Sequence, residues 1–263
     1  MSETFSISSG KIGAIQGSGG TLSSISSSAT NFDGGATLSY DAATGGYTVY
    51  DGSSGMNFLP ASKDNANSNV VITVYKVDGS GGRQDQLVLF NPGSANLLLA
   101  LSYVSYGTWA TSNASTGAVE QRYFVYGIRQ GASQPSTGSA SYVTNVDGLW
   151  ATNSGGYALT GNASFTANFS NMTVATDLNL TGTHAITSQV KSLGIFRGSG
   201  SIAAFGGGFN GTFVQQGTDA DGNVYSGNFN GAFFGPTGSE IGYTFRLTGA
   251  NGVAVGAVVG KAQ

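Results

Sequence analysis

Hydrophobic and polar residues alternate along most of this chain, and a period of two predicts strands rather than helices. In "ATLSYDAATGGYTVYDG" (Ala36–Gly52) two alternating runs flank a Gly-Gly turn, and Tyr47, Val49 and Asp51 share one face. "NVVITVYKVDGSGGRQDQLVLFNPG" repeats that form, with Asp78-Gly79 as the turn and Asn91-Pro92-Gly93 as the stop. "NLLLALSYVSYGTWATS" and "QRYFVYGIRQ" add two more strands around a loop at Asn113–Gly117. Residues Met1–Thr30 are rich in Ser and Gly and read as a flexible arm or one weak edge strand.

The text changes at "GASQPSTGSASY", where Gly131–Gly138 holds one of only four prolines among small polar residues. Such a stretch reads as a domain boundary or a long crossover. Beyond it eight short runs follow at regular spacing: Ser139–Val146, Ala163–Phe169, Met172–Leu180, Gly198–Phe205, Gly208–Gln215, Val224–Phe234, Ile241–Leu247 and Val253–Val259. Eight strands with turn signals between them predict a closed antiparallel barrel. The expected organisation is therefore all-β, with a β-rich handle domain over 1–134 followed by an eight-stranded antiparallel barrel over 135–263. The segment His184–Gly194 is the one place that reads as a helical turn.

Two phrases, "FNGTF" at Phe209–Phe213 and "FNGAF" at Phe229–Phe233, are nearly identical and lie twenty residues apart. Phe209, Gly211 and Phe213 fall on one face of a strand, as do Phe229, Gly231 and Phe233. A small barrel has little interior space, so large and small side chains must alternate. A glycine also lets the strand bend while a neighbour's ring covers its backbone.

Composition narrows the function classes. Charged residues make up only 9 % of the chain, against ~25 % in a typical domain, and the net charge is −3 with no basic cluster. Nucleic acid is a poor partner for such a surface, because affinity for phosphates needs concentrated Lys and Arg. There is no cysteine, which excludes disulfides, thiolate catalysis, iron–sulfur ligation and a lipid-anchor cysteine in this chain. The longest apolar stretch, Leu97–Val104, is far short of the ~20 residues that a spanning helix needs. Outward faces carry as many Gly, Ser and Asn residues as aliphatics, which argues against a barrel facing lipid. One histidine and three glutamates, without a G-x-S-x-G elbow, leave no catalytic constellation, so the chain reads as a non-enzyme.

The phrases "PSTGSASYVTNVDGLW", "GNFNGAFFGPTGSEIGYTFRLTG" and the closing "GVAVGAVVGKAQ" resemble the barrel domain of transferrin-binding-protein-like surface proteins of Gram-negative bacteria. The match to that pattern includes Phe233-Phe234-Gly235-Pro236 and Glu240, and the resemblance covers about half the chain. It implies a handle fused to a barrel, and export to the cell surface or release. The cargoes it implies are transferrin, lactoferrin, haemoglobin or haem, with an outer-membrane receptor or secretion machinery as a further partner. The matched residues are structural, so no binding residue transfers with them. Without the anchor cysteine the chain looks more like the released, haem-carrying type. Glu240 is expected to make a buried or rim hydrogen bond, with Arg246 as a candidate partner.

Two groups of residues are candidates for ligand binding. His184 is either an axial haem ligand or a loop histidine. Tyr103, Tyr106, Trp109, Tyr123 and Tyr126 form an aromatic group that either walls a haem pocket or packs the junction between handle and barrel. "DADGN" at Asp219–Asn223 has the start of a calcium loop without its later ligands, and reads as a hairpin turn. The expectation is a secreted or surface-exposed protein that captures haem or a host or environmental protein. The alternative is a structural or adhesive subunit of a matrix or filament.

Overall fold

A strand covered on one face reads as alternation, and one covered on both reads as an unbroken apolar run. Both kinds occur in the computed structural model, which describes residues 1–96, 99–131, 135–204 and 206–263. Before residue 128 lie β1 (Glu3–Ser6), β2 (Ser8–Gln16), β3 (Leu22–Thr30), β4 (Thr37–Asp41), β5 (Gly46–Tyr50), β6 (Gly55–Phe58), β7 (Ile72–Asp78), β8 (Arg83–Phe90), β9 (Val104–Asn113) and β10 (Ala118–Gly127). They form two open sheets, one in the order β1-β4-β5-β6 and one in the order β3-β2-β10-β9-β8-β7.

After residue 138 come β11 (Ser139–Thr152), β12 (Gly155–Asn168), β13 (Thr173–His184), β14 (Val190–Ile202), β15 (Gly208–Gln216), β16 (Tyr225–Phe234), β17 (Glu240–Gly249) and β18 (Gly252–Ala262). Each pairs antiparallel with the next, and β18 pairs back to β11, so the sheet is closed. Among the described residues there is no α-helix, and none is long and apolar enough to cross a membrane.

The repeated phrase finds its explanation in the register of β15 and β16. Phe209 lies opposite Gly231, Gly211 opposite Phe229, and Phe213 opposite Gly227. A side chain at Gly211 would run into the Phe229 ring, and one at Gly231 into Phe209 and Tyr243. Each glycine therefore exists to admit its neighbour's ring, and the rings fill the barrel. Phe165, Phe209, Phe229, Phe233 and Tyr243 touch in tilted or edge-on pairs with centroids between 4.9 and 6.4 Å. Burying each ring contributes about 1.5–3 kcal/mol. The polar tips are satisfied inside: Trp150 Nε1 donates to Tyr225 Oη at 3.1 Å, and Tyr243 Oη meets Thr176 Oγ1 at 2.7 Å.

The last strand is buried on both faces. Ala254 and Val258 point into the barrel, while Val253, Val255, Ala257 and Val259 meet Ile12, Val104, Tyr106, Tyr123 and Val125 of the six-stranded sheet. This is why "GVAVGAVVG" has no alternation. On its other side the six-stranded sheet packs Leu87, Leu89, Trp109 and Phe124 against Leu38, Val49 and Phe58 of the four-stranded sheet. The molecule is thus layered: small sheet, large sheet, barrel wall.

Three expectations need correction. Residues 3–30 are not a flexible arm: β2 is an interior strand of the large sheet, and only β1 and β3 lie at edges. Ser8 and Gly10 are small because the barrel wall presses on them: Ser8 Oγ meets Thr244 Oγ1 at 2.6 Å, and any side chain at Gly10 would crowd Val255. The stretch His184–Gly194 is the β13–β14 hairpin; its reversal at 185–187 makes a single helical-type hydrogen bond, from Ser188 N–H to His184 O at 3.0 Å, and does not continue as a helix. The strand expected from Leu97 begins at Val104, with residues 97 and 98 outside the described residues. The expected division at 134 falls on residues 132–134, which also lie outside them.

Candidate binding surfaces

Glu240 shows how the junction is fixed. Its carboxylate is 1 % exposed and accepts three backbone N–H groups, from Ser102 at 2.7 Å, Tyr103 at 2.8 Å and Val104 at 3.0 Å. These are charge-assisted hydrogen bonds, each stronger than a neutral one. They tie the first strand residues of β9 to the start of β17. Arg246, the expected partner, instead donates its Nε to Ser27 Oγ at 2.7 Å.

The structure does not bring the predicted ligand residues together. Tyr106 and Trp109 are three apart on β9 and so face opposite sides of the large sheet. Tyr106 and Tyr123 face the barrel wall, with Tyr103 packed beside them, while Trp109 and Tyr126 face the small sheet. Tyr103 precedes the strand and covers Gly235. Tyr106 stacks on Phe90 at 4.1 Å, and its hydroxyl accepts from Asn145 Nδ2 at 3.4 Å, beside Asp147. Burial pushes the phenols of Tyr106, Tyr123 and Tyr126 well above the ordinary tyrosine range, which disfavours a phenolate that could bind iron. Asp147 is pushed up to about 6 by the same burial, against hydrogen bonds from Gly148 and Tyr106 that act the other way.

His184 sits at the far end of β13, away from all of these. Its Nδ1 accepts the N–H groups of Ile186 and Thr187 at 3.2 and 3.1 Å, which leaves the proton on Nε2, 3.1 Å from Ser154 O. Both nitrogens are engaged, the ring is 6 % exposed, and its edge meets Tyr157 at 4.9 Å. It serves as the plug of the β13–β14 turn. Asp219 likewise closes its own hairpin, with Oδ1 accepting from Asp221 N at 2.9 Å and Asn223 N at 2.7 Å.

A different aromatic group lies at one edge of the handle core, with Tyr75 buried in it. Tyr40 and Tyr47 face each other across β4 and β5 at 5.1 Å, and Tyr47 continues to Tyr75 on β7 at 5.8 Å. Tyr40 and Tyr47 are half-buried, and Leu59, which is 52 % exposed, packs over Gly46 beside them. Burial raises the Tyr47 and Tyr75 phenols, so both stay neutral beside this apolar group. Half-buried tyrosines around an exposed leucine match the composition of protein-interface anchors. Sequence reasoning passed over this group because its members come from three strands. The visible signal was Tyr40 and Tyr47 flanking one Gly-Gly turn.

No family model matches the sequence, and no curated protein matches it. Solved structures do. Transferrin binding protein B of Haemophilus parasuis superposes with a TM-score of 0.58 at 20 % identity, over 98 % of this chain and 44 % of that one. Intact Ap-TbpB, with N and C lobes, gives 0.59 at 17 % identity, over 98 % and 46 %. Transferrin binding protein B from serogroup B Neisseria meningitidis gives 0.51 at 15 % identity, over 98 % and 43 %. The chain spans less than half the length of these proteins. At such identities the likeness concerns architecture, and on that ground the chain has the fold of a transferrin-binding-protein-like lobe, handle and closed barrel together.

Proposed function

We propose that this chain is a secreted or cell-surface binding lobe of a Gram-negative bacterium, without catalytic activity, that captures an iron- or haem-carrying protein at the tyrosine edge of its handle. The observation that carries this reading is the patch of Tyr40, Tyr47, Tyr75 and Leu59, on a lobe whose barrel interior is filled by rings. A filled barrel offers no cavity for a cofactor, so recognition falls to outer surfaces. The names of the TbpB structures, which record transferrin binding, support the class of cargo.

The experiment is surface-plasmon binding of transferrin, lactoferrin and haemoglobin to the immobilised chain, with a haemin titration alongside. Binding of one carrier that weakens about tenfold or more in Tyr47→Ala, the size of one anchor residue, supports the reading. Failure of every carrier to bind removes it. A Soret shift with haemin that is lost in Tyr106→Phe would instead move the site to the junction; His184→Ala is not expected to change any of these signals.

A further inference from the structure

The six-stranded sheet does not cover the barrel wall evenly. Where β3 and the chain after it pull away from β15, β16 and β17, a cleft of about 590 Å³ opens and continues into a second lobe of about 440 Å³. Ala29, Asn31, Asn210 and Asn230 belong to both, so the two are continuous.

The floor of the cleft is set by strand register. Outward-facing side chains of three neighbouring strands form two parallel rows: Asn210, Asn230 and Thr244 in one, Thr212, Asn228 and Arg246 in the next. Neighbours in a row are ~4.8 Å apart and the rows ~6.7 Å apart, by ordinary strand geometry. Every position is an amide, a hydroxyl or a guanidinium. Between them Gly211 and Gly231 bare the sheet, with Phe209, Phe229 and Phe245 also lining the cleft.

These groups are under-used within the chain. Among the described residues the side chains of Asn210, Asn228 and Thr212 have no hydrogen-bond partner, and the buried Asn230 Oδ1 and Arg129 Nε have none either. Arg129, at one end of the cleft, pairs with Asp33 at 3.4 Å, donates to Gly206 O at 3.4 Å and lies over the Phe32 ring at 4.8 Å. Arg246, at the other, has no carboxylate partner among the described residues and holds only Ser27. In a chain with ten Lys and Arg in all, two guanidiniums in one cleft, one of them with no carboxylate partner among the described residues, are a concentration that favours an anion.

The chemistry of the occupant follows by comparison. An extended peptide binds by adding to a sheet edge; the closed barrel that forms the floor has none, and the β3 edge beside it presents only Ala29 and Thr30 to the cleft, too short a stretch to pair a strand. A side-chain anchor needs an apolar pocket, and this floor is a polar grid. A polyphosphate backbone would need far more positive charge. A ligand with hydroxyls along its length and a carboxylate satisfies both the amide rows and the guanidiniums, which accept carboxylates in a planar fork. We propose that this cleft is a binding site for an acidic oligosaccharide. It is separate from the tyrosine edge of the handle and stands whether or not that surface captures a protein.

The test is titration calorimetry of the intact chain, at physiological ionic strength, with a galacturonate trisaccharide and sialyl-lactose, against maltotriose, lactose and inorganic phosphate. Binding of at least one acidic saccharide, with neutral sugars and phosphate much weaker, is expected. Two variants locate it: Arg246→Gln, which removes the cation, and Asn228→Asp, which sets a like charge on an exposed floor position. Each should weaken the acidic saccharide about tenfold, the size of one charge-assisted hydrogen bond. Asn228→Asp is on the surface, so it tests the site even where Arg246→Gln loosens the handle. Absence of saccharide binding, equal binding of phosphate, or affinity unchanged in Asn228→Asp would each overturn the assignment.

Discussion

Inside the barrel Phe209 meets Phe233 ring to ring at 5.1 Å, whereas the handle sets a guanidinium, that of Arg122, 4.1 Å above the ring of Trp109. The two regions draw on one low-charge composition and use it differently. The barrel interior excludes charge and relies on rings over glycines. The handle core holds rings as well, among them Phe58, Tyr75, Trp109 and Phe124, but it buries ion pairs beside them. Arg122 is 3 % exposed; its Nε donates to Asp51 at 2.7 Å and its Nη2 to Glu120 at 2.6 Å. Beside it Asp85, 1 % exposed, accepts from Arg83, from Trp109 Nε1 at 2.9 Å and from Thr111 at 2.9 Å. Buried ions fix one arrangement of the two sheets, but they add less net stability than rings of equal volume.

The sharpest way to break that contrast is to empty the barrel. Phe209→Ala is expected to cost about 3–5 kcal/mol, because it leaves a cavity and uncovers the backbone at Gly231. Denaturant unfolding would measure it; a loss below about 1 kcal/mol would mean that the rings are not the main support. Arg122→Ala should cost about 3 kcal/mol by stranding the carboxylate of Asp51, which is 7 % exposed as a side chain. Hydrogen exchange should then rise in β5 and β10 while β12–β16 stay protected. Uniform loss of protection across the barrel would show that the two regions are not separable in this way.

The junction comes next in size. Glu240→Gln keeps the shape but exchanges two charge-assisted acceptors for one amide oxygen and a donor that faces the N–H groups of Tyr103 and Val104. A loss of about 2 kcal/mol is expected, from weaker bonds and one mismatch. Limited proteolysis should show new cutting around residues 99–104; an unchanged digest would contradict the role given to Glu240.

The same contrast governs what could be read in the text. All eight barrel strands were legible, since turn residues separate them and their inward faces alternate. Their ends were not. β11 continues from Val146 to Thr152 because Trp150, one ring among small residues, keeps the inward period, and that is weak as a pattern. The handle was half legible. β7, β8 and β10 are apolar enough to show, but β2 is "SSGKIGAIQ", where small polar residues are buried under the barrel wall and imitate a linker. The candidate site was misread for a related reason. Tyr106 and Trp109 are adjacent in the text, and only their odd spacing on one strand reveals that they face opposite sides. The cleft was invisible because its rows join strands through register, which a linear sequence does not display.

Asp147 is a second carboxylate between the two regions, besides Glu240, on the barrel wall beside Tyr106, and its expected effect is the smallest. Burial raises it from the ordinary 3.8 to about 6, so between those values the native protein holds a proton that the unfolded chain has released. Protons bound in excess by the native state mean that stability falls as pH rises through this window. The contribution is fully present below about 4 and gone above about 6. Asp147→Asn stays neutral throughout and can still accept from Tyr106. It should melt with the wild type at pH 4 and above it at pH 7.5. That rise is worth about 3 kcal/mol at full strength; Asp147 is only half-buried, and solvent screening brings the expected gap to about 1 kcal/mol, or about 3 °C for a chain of this size. Thermal scans of both proteins across pH 4 to 8 measure it. A gap that does not change with pH would place Asp147 in water and leave Glu240 as the carboxylate that fixes the junction.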